Sequence, residues 1–314
     1  MGLTQMSDRQ LVSIREVELD HEGRRLDNFL TTLMGGVPRA LVYRIIRSGE
    51  VRVNGKRAQP AQRLIAGDKV RVPPFTPHDA AVPQIGAAMR QTVAAAIVYE
   101  DDQILLLNKP SGLAVHAGSG LPFGVIDVVR VLRPECSKIE LVHRLDRETS
   151  GCLLLAKDIA TLRALHLQLR EGRMHKGYVA LLNGHLPAEP VRCDAPLAMV
   201  MDGQGERRAE VSATGVAART EFRVRARLGR WTYSEIILDT GRTHQIRAHA
   251  AYLGHAVAGD PRYGDPTDNQ TLRALGLNRT FLHAEIIEFE HAGPQQFCVP
   301  LPAELSSVLS RISA

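Results

Sequence analysis

Four prolines within eleven residues, Pro73, Pro74, Pro77 and Pro83, set the first limit on how this chain can fold. Proline fixes φ and has no backbone N–H, so neither a helix nor a central strand can run through this stretch. A chain of 314 residues is also long for one domain at roughly 100–200 residues each. These constraints predict a small module at 20–73, a semi-rigid proline-containing linker at 74–92, and a larger body at 93–314.

The two parts differ in charge. Between Arg24 and Val72 stand eleven lysines and arginines against Asp27, Glu50 and Asp68, a net of +8. The whole chain sums to +5, so everything else carries −3. A basic module on a near-neutral body suits a polyanion binder joined to a second activity, although a solvated arginine-rich surface would look the same in composition.

The module's pattern is ordered. Pro38 suits the first position of a helix and Gly49 its end. On the helical wheel Leu41, Val42, Ile45 and Ile46 share one arc, and Arg39, Tyr43, Arg44 and Arg47 the other. Such an outer face can track phosphates and stack on a base. Asn54-Gly55 predicts a hairpin turn, with another strand near Asp68–Val72. Arg25-Leu-Asp-Asn-Phe-Leu together with Val37 through Gly55 resembles the S4 domain, a small αL-type RNA-binding module.

Several classes are excluded or disfavoured. No apolar run approaches the ~20 residues of a membrane span, and the N-terminus lacks a basic segment followed by an apolar one. Cys136, Cys152, Cys193 and Cys298 are scattered without metal-ligand spacing, which predicts free thiols and a cytoplasmic protein. The twelve histidines include no His-Glu-x-x-His, so no catalytic metal is expected. Gly118-Ser-Gly120 is too short to be a dinucleotide fingerprint.

In the body, short apolar runs alternate irregularly with fewer helices. This predicts an α+β fold with a largely antiparallel, mixed sheet. Asp158–Glu171 reads as a helix capped by Asp158 and stopped by Gly172, and a second helix is expected over Thr243–Leu253.

Three polar clusters could carry chemistry. Residues 141–151 place Asp146 between Arg144 and Arg147 ahead of the apolar run Cys152–Ala156, a rigid mount for a reactive group. Flanking positive charge favours the ionised carboxylate that a nucleophile or base needs. A solvated loop with local pairs, such as Arg144 with Glu148, is the commoner origin of such a composition. The second cluster, Thr240–His249, puts Gly241 before a helix start and offers Arg242 and Arg247 to an anion. The third is Lys176-Gly-Tyr178, where the tyrosine could also be an ordinary core residue.

Taken together, His143-Arg-Leu-Asp through Thr149-Ser-Gly151, Lys176-Gly-Tyr178 and Gly241-Arg-Thr-His-Gln-Ile-Arg247 resemble the RluA family of pseudouridine synthases. The likeness extends over about 93–302 and includes Asn108–Gly112, Gly259–Gly264 and Leu282-His-Ala. It departs at Val216–Thr220, which lacks a lysine common in the family, and over Val200–Gly215.

This resemblance implies isomerisation of uridine within large-subunit ribosomal RNA, free or in a pre-ribosomal particle. The isomerisation has no net redox change and no group leaves the substrate, so no cofactor is called for. Asp146 would attack the ribose or remove its 2′ proton. Arg247 would hold Asp146, Tyr178 would stack on a flipped uracil, Arg144 would fill the gap and Ile246 would supply apolar wall. A monomer without membrane contact is expected. Two rivals remain open: an S4-bearing RNA methyltransferase, which should carry a glycine-rich cofactor loop, and a non-catalytic ribosome-binding protein, for which Asp146 would be dispensable.

Overall fold

The basic helix expected after Pro38 is present in the computed structural model, which describes residues 12–34, 37, 39–75, 84–117, 121–201 and 207–313. Pro38, the side chain of Arg39, the glycines at 118 and 120, and residues 202–206 of the poorly matching segment lie outside the described residues. So do residues 76–83 of the linker. Two units separate, Met1–Gln84 and Ile85–Ala314.

The first unit comprises β1 (Ser13–Glu16), α1 (Leu26–Leu33), α2 (Arg39–Arg47), β2 (Arg52–Val53), β3 (Lys56–Arg57) and β4 (Lys69–Val72), with antiparallel strand order β1-β4-β2-β3. Val42, Ile45 and Ile46 of α2 are buried with Leu26 and Leu30 of α1 and Val53, Val70 and Val72 of the sheet. Arg44 and Arg47 remain exposed. Asn54 and Gly55 both take positive φ, 50° and 78°, as the tight turn between β2 and β3 requires. Tyr43 is only half-buried, but its hydroxyl donates to Asp27 at 2.9 Å and the Arg47 guanidinium lies over its ring. A buried carboxylate must find donors, so Tyr43 is tied to the interior rather than standing free on the basic face.

The second unit opens on α3 (Ala87–Ala95), inside the stretch read as linker; its Val93 is buried in the core beyond. There follow β5 (Ile97–Glu100), β6 (Ile104–Lys109), α4 (Val125–Leu132), β7 (Glu140–Leu141), β8 (Ser150–Ala156), α5 (Ile159–Arg170) and β9 (His175–Asn183). Next come β10 (Val191–Cys193), β11 (Leu197–Met201), β12 (Arg207–Val211), β13 (Thr220–Leu228), β14 (Trp231–Leu238) and α6 (Gln245–Tyr252). The chain ends with α7 (Pro266–Ala274), β15 (Leu282–Glu290), β16 (Pro294–Cys298) and α8 (Ala303–Ser313).

The main sheet runs β10-β13-β14-β9-β15-β8-β6-β5, antiparallel except where β15 and β8 run parallel. It is therefore the mixed, largely antiparallel sheet of an α+β fold. Every residue of β8 is buried, because helices cover both faces. Leu153 and Leu155 pack with α3, α4 and α6 on one side, and Leu154 and Ala156 with α5 on the other. Asp158 caps α5 as expected, accepting from the Thr161 N–H at 2.8 Å. Cys152 and Cys193 are buried, Cys136 is half-buried and Cys298 exposed, all as free thiols. No helix among the described residues is long and apolar enough to cross a membrane.

Gly151 makes the parallel β8–β15 pairing possible. Its φ is +112°, and a Cβ there would sit 2.1 Å from the Ala284 carbonyl oxygen, which is backbone and cannot yield. Gly151→Ala should cost more than about 2 kcal/mol through strain and overlap together. Denaturant unfolding measures it, and a loss below about 0.5 kcal/mol would contradict the close approach.

Candidate active site

Asp146 sits in the loop that feeds β8, and that loop is fastened from several sides. Lys109, wholly buried at the end of β6, donates to the carbonyls of Pro110, Leu113 and Arg147 at 2.9, 2.8 and 3.1 Å. Burial pushes its amine down to about 7, against the upward pull of Glu148 and Asp146. The Ser111 hydroxyl and Arg279 Nη1 both donate to the Glu148 carbonyl, at 2.7 and 3.1 Å. Glu148 itself pairs with Arg147 at 3.6 Å, not with Arg144. His143 accepts the Leu154 N–H at 3.1 Å, and burial beside the Lys176 charge brings its imidazole down to about 3, so it is neutral.

The opposite wall comes from α6. Arg247, 5% exposed, presents Nε and Nη2 to both oxygens of the fully buried Asp260, at 2.6 and 2.8 Å. Its remaining terminal nitrogen, Nη1, lies 3.4 Å from Asp146 Oδ2. Burial opposes the guanidinium charge, but the Asp260 and Asp146 carboxylates outweigh it and raise its pKa further. Asp260 also accepts the N–H groups of Arg262 and Tyr263, at 2.9 and 3.2 Å.

The helix begins two residues later than the sequence suggests. His244 takes a left-handed conformation, φ 53°, which stops the helix from extending backwards. Gln245 locks this entry with a fully used amide: Oε1 accepts from the Thr240 hydroxyl and the Arg242 N–H, and Nε2 donates to the Arg219 carbonyl and the Thr220 hydroxyl. The His244 ring stands with Nδ1 3.1 Å from the Tyr263 hydroxyl and Nε2 4.0 Å from Asp146 Oδ2.

A cavity of about 660 Å³ opens between these walls. Asp146, Arg144, Tyr178, Ile246 and Arg247 all line it, so the body residues to which the family resemblance gives a role meet there. Tyr178, on β9 between β14 and β15, is 6% exposed with its body in the core; burial and the Asp146 charge raise its phenol pKa, so it stays protonated. Arg144 is exposed at the rim. Lys176 also faces the cavity, its pKa lowered by burial. Sequence reasoning gave no individual role to His244 and Gln245, which stand inside the Gly241–Arg247 motif, or to Asp260 and Tyr263. The only signal for Asp260 and Tyr263 was the polar turn Gly259–Gly264.

A partly exposed carboxylate held beside a fixed cation in a cavity makes a site of the class that carries nucleophilic or base chemistry. Comparison with known proteins agrees with this class. Residues 103–252 match the family described as RNA pseudouridylate synthase, and 24–70 match the S4 domain. The chain is 49% identical over 286 residues to the ribosomal large subunit pseudouridine synthase C of Escherichia coli (strain K12), covering 90% of each chain. It is 46% identical over 304 residues to the protein of that name from Salmonella typhimurium, covering 96% of this chain and 95% of the relative. The fold is also that of human RNA pseudouridylate synthase domain containing 4, with TM-score 0.61 and 23% identity over 72% of this chain and 95% of that one. The chain belongs to the RNA pseudouridylate synthase family.

Removing one partner of a buried ion pair leaves the other charge stranded, at a cost of about 3–5 kcal/mol. Asp260→Ala should therefore destabilise the protein by that amount, measured by chemical denaturation. A loss under about 1 kcal/mol would show that Arg247 does not depend on Asp260.

Proposed function

We propose that the second unit isomerises uridine to pseudouridine in large-subunit ribosomal RNA and that the first unit captures the RNA. The observation that carries this reading is the constellation around Asp146: Arg247 3.4 Å away and Tyr178 in the same cavity wall, on a chain similar throughout to synthases of that substrate.

The chemistry follows from what each group can do. The N–C glycosidic bond must break, the uracil must turn, and its C5 must bond to C1′ of the ribose. Asp146 serves either as the nucleophile that takes C1′ or as the base that takes the 2′ proton. In both cases the carboxylate must be aimed at the ribose, which the Arg247 contact provides. The target base has to leave the RNA stack to reach a cavity walled by the sheet. Tyr178 then offers its ring for stacking and Ile246 an apolar surface to the uracil. Arg144, exposed at the rim, has a planar guanidinium suited to the space the base leaves.

The basic helix of the first unit supplies the sequence-independent part of binding. Arg44 and Arg47 stand exposed on one side of α2, with Arg39 and Tyr43 in the same helix. Each phosphate they neutralise adds a term to the salt dependence of affinity.

Two outcomes test this. Asp146→Asn keeps shape but loses charge, so it should bind large-subunit rRNA as the wild type does and form pseudouridine at least about a thousandfold more slowly. Turnover at a tenth of the normal rate would remove Asp146 from the chemistry. Arg44→Gln with Arg47→Gln should flatten the slope of log affinity against log salt by about 1.4–1.8, from about 0.7–0.9 per contact. The rate at saturating RNA should not change, and an unaltered slope would separate α2 from RNA capture.

A further inference from the structure

The reaction needs a proton taken from C5, and no role assigned so far supplies the acceptor. When C5 bonds to C1′ it becomes tetrahedral and still carries its hydrogen, with a double bond between C6 and N1. To finish, the C5–H pair must become the C5–C6 double bond while the C6–N1 π pair moves onto N1, which gains a proton. We propose that Nε2 of His244 is the group that accepts the C5 proton, a role that rests on the isomerase reading of this cavity.

The tautomer is set by a chain of hydrogen bonds. On β11, Leu197 exchanges both backbone bonds with Val216, at 2.9 and 2.8 Å, so it turns them away from β12. Alternation along an antiparallel ladder gives Met199 and its partner Ala209 the same outward turn. Ala209 is 1% exposed, and its N–H and carbonyl meet the Tyr263 hydroxyl, both at 3.0 Å. That hydroxyl has one proton, and it goes to the Ala209 carbonyl. Toward His244, at 3.1 Å, it can only accept. His244 Nδ1 therefore carries the ring proton, and Nε2 presents a lone pair on the Asp146 side, 4.0 Å from Oδ2.

Two further observations fit an acceptor. His244 keeps a left-handed backbone that is strained for a residue with a Cβ, and such strain persists where surrounding structure imposes it. Here the Tyr263 contact and the Gln245 lock impose it, and they aim the ring into the cavity. The neighbour also suits the timing. If Asp146 holds C1′ as an ester, the C–C bond frees its carboxylate just as C5 becomes acidic. If Asp146 instead shuttles the 2′ proton, it is a carboxylate again once that proton returns. Either way an anion stands beside the imidazolium as it forms. The imidazolium then gives its proton to water or to N1, and no proton is gained or lost overall.

The test uses the full chain with His244→Gly, which suits φ 53° and leaves an imidazole-sized space. The substrate is a large-subunit rRNA transcript made with ordinary or 5-deuterated uridine. Pseudouridine formation should slow by about a hundredfold or more, the deuterium effect on the rate should rise above that of the wild type, and added imidazole should restore much of the rate. A variant within about threefold of wild type overturns the proposal. So does a slow variant with an unchanged isotope effect and no response to imidazole, because His244 would then only shape the loop. A wild-type protein that forms no pseudouridine overturns the isomerase assignment itself.

Discussion

The buried pair between Arg247 and Asp260 is the interaction on which the rest of the site depends. Asp260 is completely enclosed and accepts four N–H donors, two from the guanidinium and two from the backbone of its own turn. A carboxylate so deep is tolerable only when its acceptor sites are filled. By taking Nε and Nη2 it turns the guanidinium so that Nη1 alone is left for the cavity, where it meets Asp146. The cation is placed by one carboxylate and used by the other. Asp146 itself keeps partial exposure, 18% of its side chain, which the role proposed for it requires.

That arrangement explains why so much distant chain converges on one turn. The Asp146 loop is carried by β8, Tyr178 by β9, and Arg247 by α6, and the mixed sheet brings all three to one face. Lys109 and Arg279 hold the loop from below by its carbonyls. Ala209 of β12, paired with β11, holds Tyr263, which holds His244. In the proposed reaction such preorganisation meets charge in place when the glycosidic bond breaks, without waiting for side chains to rearrange.

Local signals in the chain were readable and long-range ones were not. The helix from Ile159 to Arg170 follows from a cap, a periodic leucine stripe and a stopping glycine, all within fifteen residues. The turn at Asn54-Gly55 and the buried stripe of α2 are local in the same way. The helix Ala87–Ala95 was hidden because its alanines make no apolar stripe, although alanine's helix propensity was a signal. The start of α6 was misjudged because His244 is bent by Tyr263, nineteen residues further on. Residue types and order pointed to Asp146, Tyr178, Ile246 and Arg247 through family resemblance. Nothing in their spacing could show that Asp260 steers Arg247, or that Glu148 pairs with Arg147 instead of Arg144.

The central claim, that this cavity isomerises uridines of large-subunit ribosomal RNA, is tested most directly by mapping pseudouridine in both ribosomal RNAs. Unmodified large- and small-subunit transcripts would be incubated separately with the full chain, without added cofactor, and every pseudouridine located by chemical labelling. The account predicts pseudouridine at a few discrete positions of the large-subunit RNA and none in the small-subunit RNA. No pseudouridine in either, or equal modification of both, would contradict it.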